Sequence, residues 1–118
     1  MKENVLVDLS KGFAIEIINL CSELKRNEKV AILTSQLLRS GTSIGANIHE
    51  GNYAASKADF INKFQIALKE GYETDYWLDI FKETGVVNEE KYTDLKTKNG
   101  RTRKILITSI KTAKSSIK

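Results

Sequence analysis

Glu70 and Glu73, a lone arginine among short polar residues, and a set of cations near the C-terminus are the side chains of this 118-residue chain best placed to do chemistry. Paired carboxylates in a helical protein can hold a metal or move protons, a guanidinium can clamp a carboxylate, and clustered cations can neutralise phosphates. The first possibility is poorly supplied. A di-iron bundle site needs Glu-x-x-His pairs on two helices, and the single histidine, His49, lies about a quarter turn off the polar stripe described below. Ser40 and Ser43 have no histidine within their own motif, so hydroxyls there read as structural. Gly41, Gly45 and Gly51 have no Lys-Ser/Thr beside them and follow no strand, which removes a phosphate-binding loop. The expectation is no catalytic residue, no metal, no cofactor and no small-molecule substrate.

The arginine belongs to the stretch QLLRSGTSIGANIHEG, residues 36–51. At about 100° per residue, Gln36, Arg39, Ser43, Asn47 and Glu50 fall on one stripe, beside an apolar one of Val30, Leu33, Leu37, Ile44 and Ile48. A surface helix ordinarily carries long charged side chains opposite its core face. Short hydroxyls and amides around one guanidinium point instead to fixed hydrogen bonding. Farther on, Glu70 and Glu73 interrupt an apolar line of Ile66, Trp77 and Ile80. Carboxylates placed there need a donor, and Arg39 is the natural one; the alternative is that they snorkel at the edge of the face. The polar stripe could lie within one protomer or between protomers.

Four amphipathic elements must position these groups. The spacing predicts helices over about 8–26, 28–54, 56–84 and 88–117, with Asp8 or Ser10 capping the first and Lys25-Arg26-Asn27 closing it. Its core stripe is Phe13, Ile17, Leu20 and Leu24. Gly41 and Gly45 in the second helix suggest close approach by a neighbour, unless the helix breaks at 39–42. Ser56 caps the third, whose stripe is Phe60, Phe64, Ala67, Gly71, Thr74 and Leu78, and Gly85 ends it in a left-handed conformation. Asn88 caps the fourth, whose apolar arc is Leu95, Ile105, Leu106, Ile110, Ala113 and Ile117. Asn99-Gly100 could bend it. Short links and no strand signal make an all-α, antiparallel up-down-up-down four-helix bundle the economical fold, one domain over 1–118.

Composition agrees. There is no proline to interrupt long helices, and the lone Cys21 cannot form an internal disulfide and reads as a small buried hydrophobe. No apolar run approaches the roughly 20 residues that span a bilayer, and the N-terminus lacks a secretory signal's apolar region, so no membrane association and a cytoplasmic location are expected. The net charge of +4 is unevenly distributed. Residues 88–118 hold nine basic and three acidic residues, and no acid follows Asp94. Lys96, Arg103, Lys104, Lys111, Lys114 and Lys118 fall on one arc of the fourth helix, a candidate surface for RNA or DNA; the same arc is equally a solvated face.

Gln36, Arg39-Ser40, Thr42-Ser43-Ile44, Ala46-Asn47-Ile48 and Glu50-Gly51, followed by Phe60, Ala67, Glu70, Glu73 and Trp77, resemble the bacterial four-helix-bundle proteins encoded by intervening sequences in 23S ribosomal RNA genes. The similarity runs from about Asp8 to the C-terminus. Gly41 and His49 stand where alanine is commoner in relatives, an exchange that bears on local packing. The resemblance implies a bundle assembling into a ring-shaped homopentamer. A related accessory protein of diversity-generating retroelements engages nucleic acid and a reverse transcriptase through a basic surface, whereas the intervening-sequence branch carries no settled activity. Two functions are therefore expected in competition. One is a non-enzymatic homo-oligomer that binds RNA or DNA non-specifically through the basic helix; the other is a self-assembling scaffold or adaptor for a protein partner with no nucleic-acid ligand.

Overall fold

The computed structural model of the chain describes residues 2–24 and 28–116, with side chains from 5–24 and 30–116. It contains α1 (Lys2–Leu24), α2 (Glu28–Asn52), α3 (Lys57–Glu83) and α4 (Glu89–Ser115). The described residues form no strand. Each helix packs on the next, and α1 closes the bundle against α4. Direction follows from the contacts. Ser10 meets Gly45 and Ile17 meets Gly41 across α1 and α2, while Gly51 meets Phe64 and Ser40 meets Thr74 across α2 and α3. Across α3 and α4, Asp79 pairs with Lys96 and Lys57 reaches Ser116. Every neighbouring pair that follows in sequence is thus antiparallel, giving an up-down-up-down bundle 51 Å long.

The termini of α3 and α4 follow from local chemistry. The Ser56 hydroxyl accepts from the Asp59 amide at 3.1 Å, and the Asn88 side-chain oxygen accepts from the Lys91 amide at 2.8 Å. Gly85, at φ 76°, turns the chain so that the Val86 amide donates back to the Phe81 carbonyl at 2.8 Å. α1 departs from expectation: it begins at Lys2, so neither Asp8 nor Ser10 is its cap. Leu6 explains this, because it is buried at a helical spacing from Ser10 and Phe13 and rewards an earlier start. The expected closing residues Lys25-Arg26-Asn27 lie outside the described residues.

Leu6, Phe13, Ile17, Leu37, Ile44, Ile48, Phe64, Leu78, Leu95 and Leu106 form the centre of the core. Leu33, assigned to the core stripe from spacing, is 38% exposed, and Thr34 beside it is buried in its place. The Thr34 hydroxyl donates to the Val30 carbonyl at 2.7 Å, so burial leaves it satisfied. On α3, Ile61 is buried and Phe60 lies at the core's edge. Cys21 is buried with its sulfur 3.6 Å from the Thr34 carbonyl. α2 runs unbroken through 39–42. A Cβ at Gly41 would come within 3.0 Å of the Ile17 side chain, so the glycine sets the α1–α2 approach there.

Candidate functional site

Packing α2 against α3 brings Arg39 to Glu70 and Glu73. One guanidinium nitrogen donates to Glu70 at 3.2 Å and another to Glu73, whose carboxylate also accepts from the Trp77 indole N–H at 3.0 Å. The fork therefore splits between two carboxylates instead of gripping one with two bonds. The carboxylates stand three apart on one face of α3, and the arginine is opposite both. The cluster lies at the rim: the Arg39 side chain is 48% exposed, Glu73 34% and Glu70 18%. All three residues belong to one chain.

The remaining stripe residues do not join them. Ser43 donates to the Arg39 carbonyl at 2.6 Å and Asn47 to the Ser43 carbonyl at 2.9 Å, both within α2. Glu50 pairs with Lys63 at 3.1 Å. Gln36 is exposed, and its side chain makes no hydrogen bond among the described residues. Short side chains reach only the preceding turn of their own helix, whereas the arginine spans the gap to the next.

The Arg39 hydrogen bond, reinforced by the Trp77 N–H, holds the Glu73 carboxyl below its ordinary range, and the same contact raises Arg39. On the α3–α4 side, the Tyr92 hydroxyl, donating at 2.6 Å, and then Lys96 lower Asp79. A depressed folded-state carboxyl stabilises the fold above its unfolded pKa, and that contribution disappears as pH falls through the folded value. Melting temperature should therefore drop as pH is taken from neutral to below the ordinary carboxylate range. Glu73→Gln and Asp79→Asn should flatten that drop, as read by circular dichroism between about pH 7 and 3.

Beyond Lys91, which lies in the acidic first turn, the cations of α4 divide into two sets. Lys96 pairs with Asp79 at 3.0 Å and lies 3.8 Å from Asp75, and Arg103 donates to Asp75 at 2.6 Å. Asn99 sits between them, 1% exposed, donating to the Gly71 carbonyl and to Asp75 at 2.9 Å each. Asn99 is thus a cross-helix clamp, and α4 continues as one helix through it to Ser115. Lys96 and Arg103, both expected on a ligand surface, are therefore committed to α3 carboxylates. Partial burial lowers the Lys96 ammonium, yet the Asp79 bond and both aspartate charges outweigh it and leave it raised. Lys98 is held by Glu16 at 2.8 Å and Asp94 at 3.1 Å.

The second set is open. Lys104, Lys111 and Lys114 are exposed and form no ion pair among the described residues, and Arg101, not assigned to the surface from spacing, joins them. Lys118 lies outside the described residues. One residue along a helix turns the side chain by about 100°, which is why Arg103 faces α3 and Lys104 faces away. The sequence contained a signal for this division: Asp75 and Asp79, four apart on α3, match Lys96, Asn99 and Arg103 on α4. Only the antiparallel register identifies them as partners.

The remaining hydroxyl and imidazole candidates lie apart from both clusters. Ser40 is buried with its hydroxyl 3.0 Å from that of Thr74. His49 is exposed, its ring 5.1 Å from that of Tyr53. Among the described residues no group of three or more His, Cys, Asp or Glu is placed to hold a metal, and no helix is long and apolar enough to cross a membrane. A groove of about 340 Å³ between α1 and α2, lined in part by Val7, Ala14, Thr42 and Ala46, contains neither the Arg39 cluster nor the open cations.

Comparison with known proteins extends this picture. No curated protein matches the chain. A crystal structure of a protein of unknown function from the S23 ribosomal protein family of Bacteroides thetaiotaomicron is similar at 47% identity and a TM-score of 0.91, over 94% of this chain and 99% of that one. The family model described as 23S rRNA-intervening sequence protein matches residues 2–108, a span containing α1, α2, α3, the larger part of α4, the Arg39–Glu70–Glu73 cluster and the α3–α4 clamp. With that span of the bundle accounted for, the chain belongs to the 23S rRNA-intervening sequence protein family.

Proposed function

We propose that the protein is a non-enzymatic, cytoplasmic homo-oligomer that binds RNA or DNA through the outward face of α4. The supporting observation is the open set of Arg101, Lys104, Lys111 and Lys114, in a chain without an acid after Asp94. Such a face attracts polyanions by releasing counterions and reads no sequence, because lysines contact phosphates and not base edges. Lys96 and Arg103 contribute indirectly: by neutralising Asp75 and Asp79 they remove two carboxylates that would repel a phosphate backbone. The test is filter binding of RNA and DNA across a salt series. Affinity falling steeply with salt supports the reading, and affinity indifferent to salt overturns it.

The second reading, a self-assembling scaffold or protein adaptor without a nucleic-acid ligand, draws on exposed apolar side chains. Ile32 is 79% exposed, Ile15 51% and Ile18 46%. Apolar groups on a protein that assembles are expected to be covered by another copy or a partner. The family resemblance favours a pentamer. Multi-angle light scattering should give several times the 13.3 kDa chain mass. A monomer mass at working concentration overturns the oligomer under both readings.

A further inference from the structure

Tyr72 and Tyr76 stand one turn apart on α3 and are 53% and 58% exposed. Each ring is steadied on one side. The Arg103 guanidinium carbon lies 5.2 Å from the Tyr72 ring centroid, and its nitrogen is fixed by Asp75 at 2.6 Å. The Tyr76 ring meets the edge of Trp77 at 5.2 Å and an angle of 70°. More than half of each tyrosine remains open, beside a helix on which Lys104 directly follows Arg103. On the side facing α4 the two neighbouring aspartates are charge-balanced by Lys96 and Arg103, so they do not set an uncompensated negative charge there against an anion.

The geometry points to a base-stacking platform, in which Tyr72 and Tyr76 each take one base of a single-stranded RNA or DNA whose phosphates lie along Lys104 and Lys111. Four residues of helix separate the rings by about 6 Å along the axis, whereas bases in one strand of a duplex are about 3.4 Å apart. Neighbouring duplex bases cannot each lie on one of these rings; a single strand can open to do so. Every base presents a π-face, so the platform tolerates any sequence and complements a phosphate-binding face that reads none. Arg103 serves as a positioning residue, holding the Tyr72 ring through its guanidinium.

This inference rests on the nucleic-acid reading above, and the experiment separates the two. Fluorescence anisotropy of the full chain is measured with mixed-sequence single-stranded DNA, single-stranded RNA and duplex DNA of about 12 nucleotides each, at one low salt concentration. The Y72A/Y76A variant is expected to lose about ten-fold or more in affinity for both single strands and to hold duplex affinity within about two-fold. Y72L/Y76L, which keeps apolar bulk without a π-face, should behave like the alanine variant, and Y72F/Y76F like the parent. Leucine and alanine variants that bind single strands as the parent does overturn the platform and leave the charge reading standing. A parent that binds none of the three probes overturns both. A light-scattering mass that falls in the leucine variant while its binding is unchanged assigns the rings to a protein contact and overturns the platform.

Discussion

Replacing Lys104, Lys111 and Lys114 with glutamate is expected to lower RNA and DNA affinity by about 10²–10³-fold at roughly 50 mM salt, and neutral replacement by glutamine should reduce the salt slope by about one per lysine. These lysines are exposed and unpaired among the described residues, so their removal orphans no partner. Thermal stability should accordingly stay within about 0.5 kcal/mol of the parent. Lys96→Gln and Arg103→Gln should behave in the opposite way. Each strips a cation from a half-buried aspartate, with Asp75 only 15% exposed, and lowers stability more than phosphate affinity. Filter binding of duplex DNA, which does not use the Tyr72 ring that Arg103 steadies, and circular dichroism melts on the same variants distinguish the two sets. Equal losses of affinity from both sets would show that the division of α4 into structural and ligand-facing cations is wrong.

The largest loss of stability is expected at the α2–α3 crossing. A Cβ at Gly51 would lie 2.7 Å from the Phe64 ring, and that ring cannot withdraw, being 1% exposed with its centroid 4.1 Å from that of Phe60. Gly51→Ala should cost about 1–3 kcal/mol through overpacking, although alanine is otherwise the better helix former. Phe64→Ala, which opens a cavity in place of the ring, should cost about 3–5 kcal/mol, a large share of the roughly 5–15 kcal/mol by which a domain of this size is stable. The double variant should be less destabilised than the sum of the two, because the added methyl enters space the ring has vacated. Urea unfolding of the four proteins checks this. A stabilised Gly51→Ala would contradict the close approach.

Much of the bundle is legible in residue order. The 3.6-residue period exposes the cores of all four helices, Ser56 and Asn88 announce two N-termini by their capping chemistry, and Gly85 marks a C-terminus through its positive φ. These are local properties, set by side-chain direction and backbone hydrogen bonding within about one turn. Leu33 and the start of α1 escape the same reasoning because periodicity does not say where along its length a helix is covered.

Pairing between helices is another kind of information. That Arg39 needs a carboxylate follows from its neighbours and from the cost of an unpaired charge; that it divides between Glu70 and Glu73 while Gln36 stays exposed depends on the α2–α3 register. On α4 the sequence by itself determined that the C-terminal element is cationic and amphipathic. The tertiary structure alone decided that Lys96 and Arg103 serve Asp79 and Asp75, that Asn99 is a buried clamp, and that Lys104 and Lys111 remain for solvent or a ligand. The physical reason is that a charge's role depends on what stands within about 4 Å of it, and across antiparallel helices that neighbour lies tens of residues away in the chain.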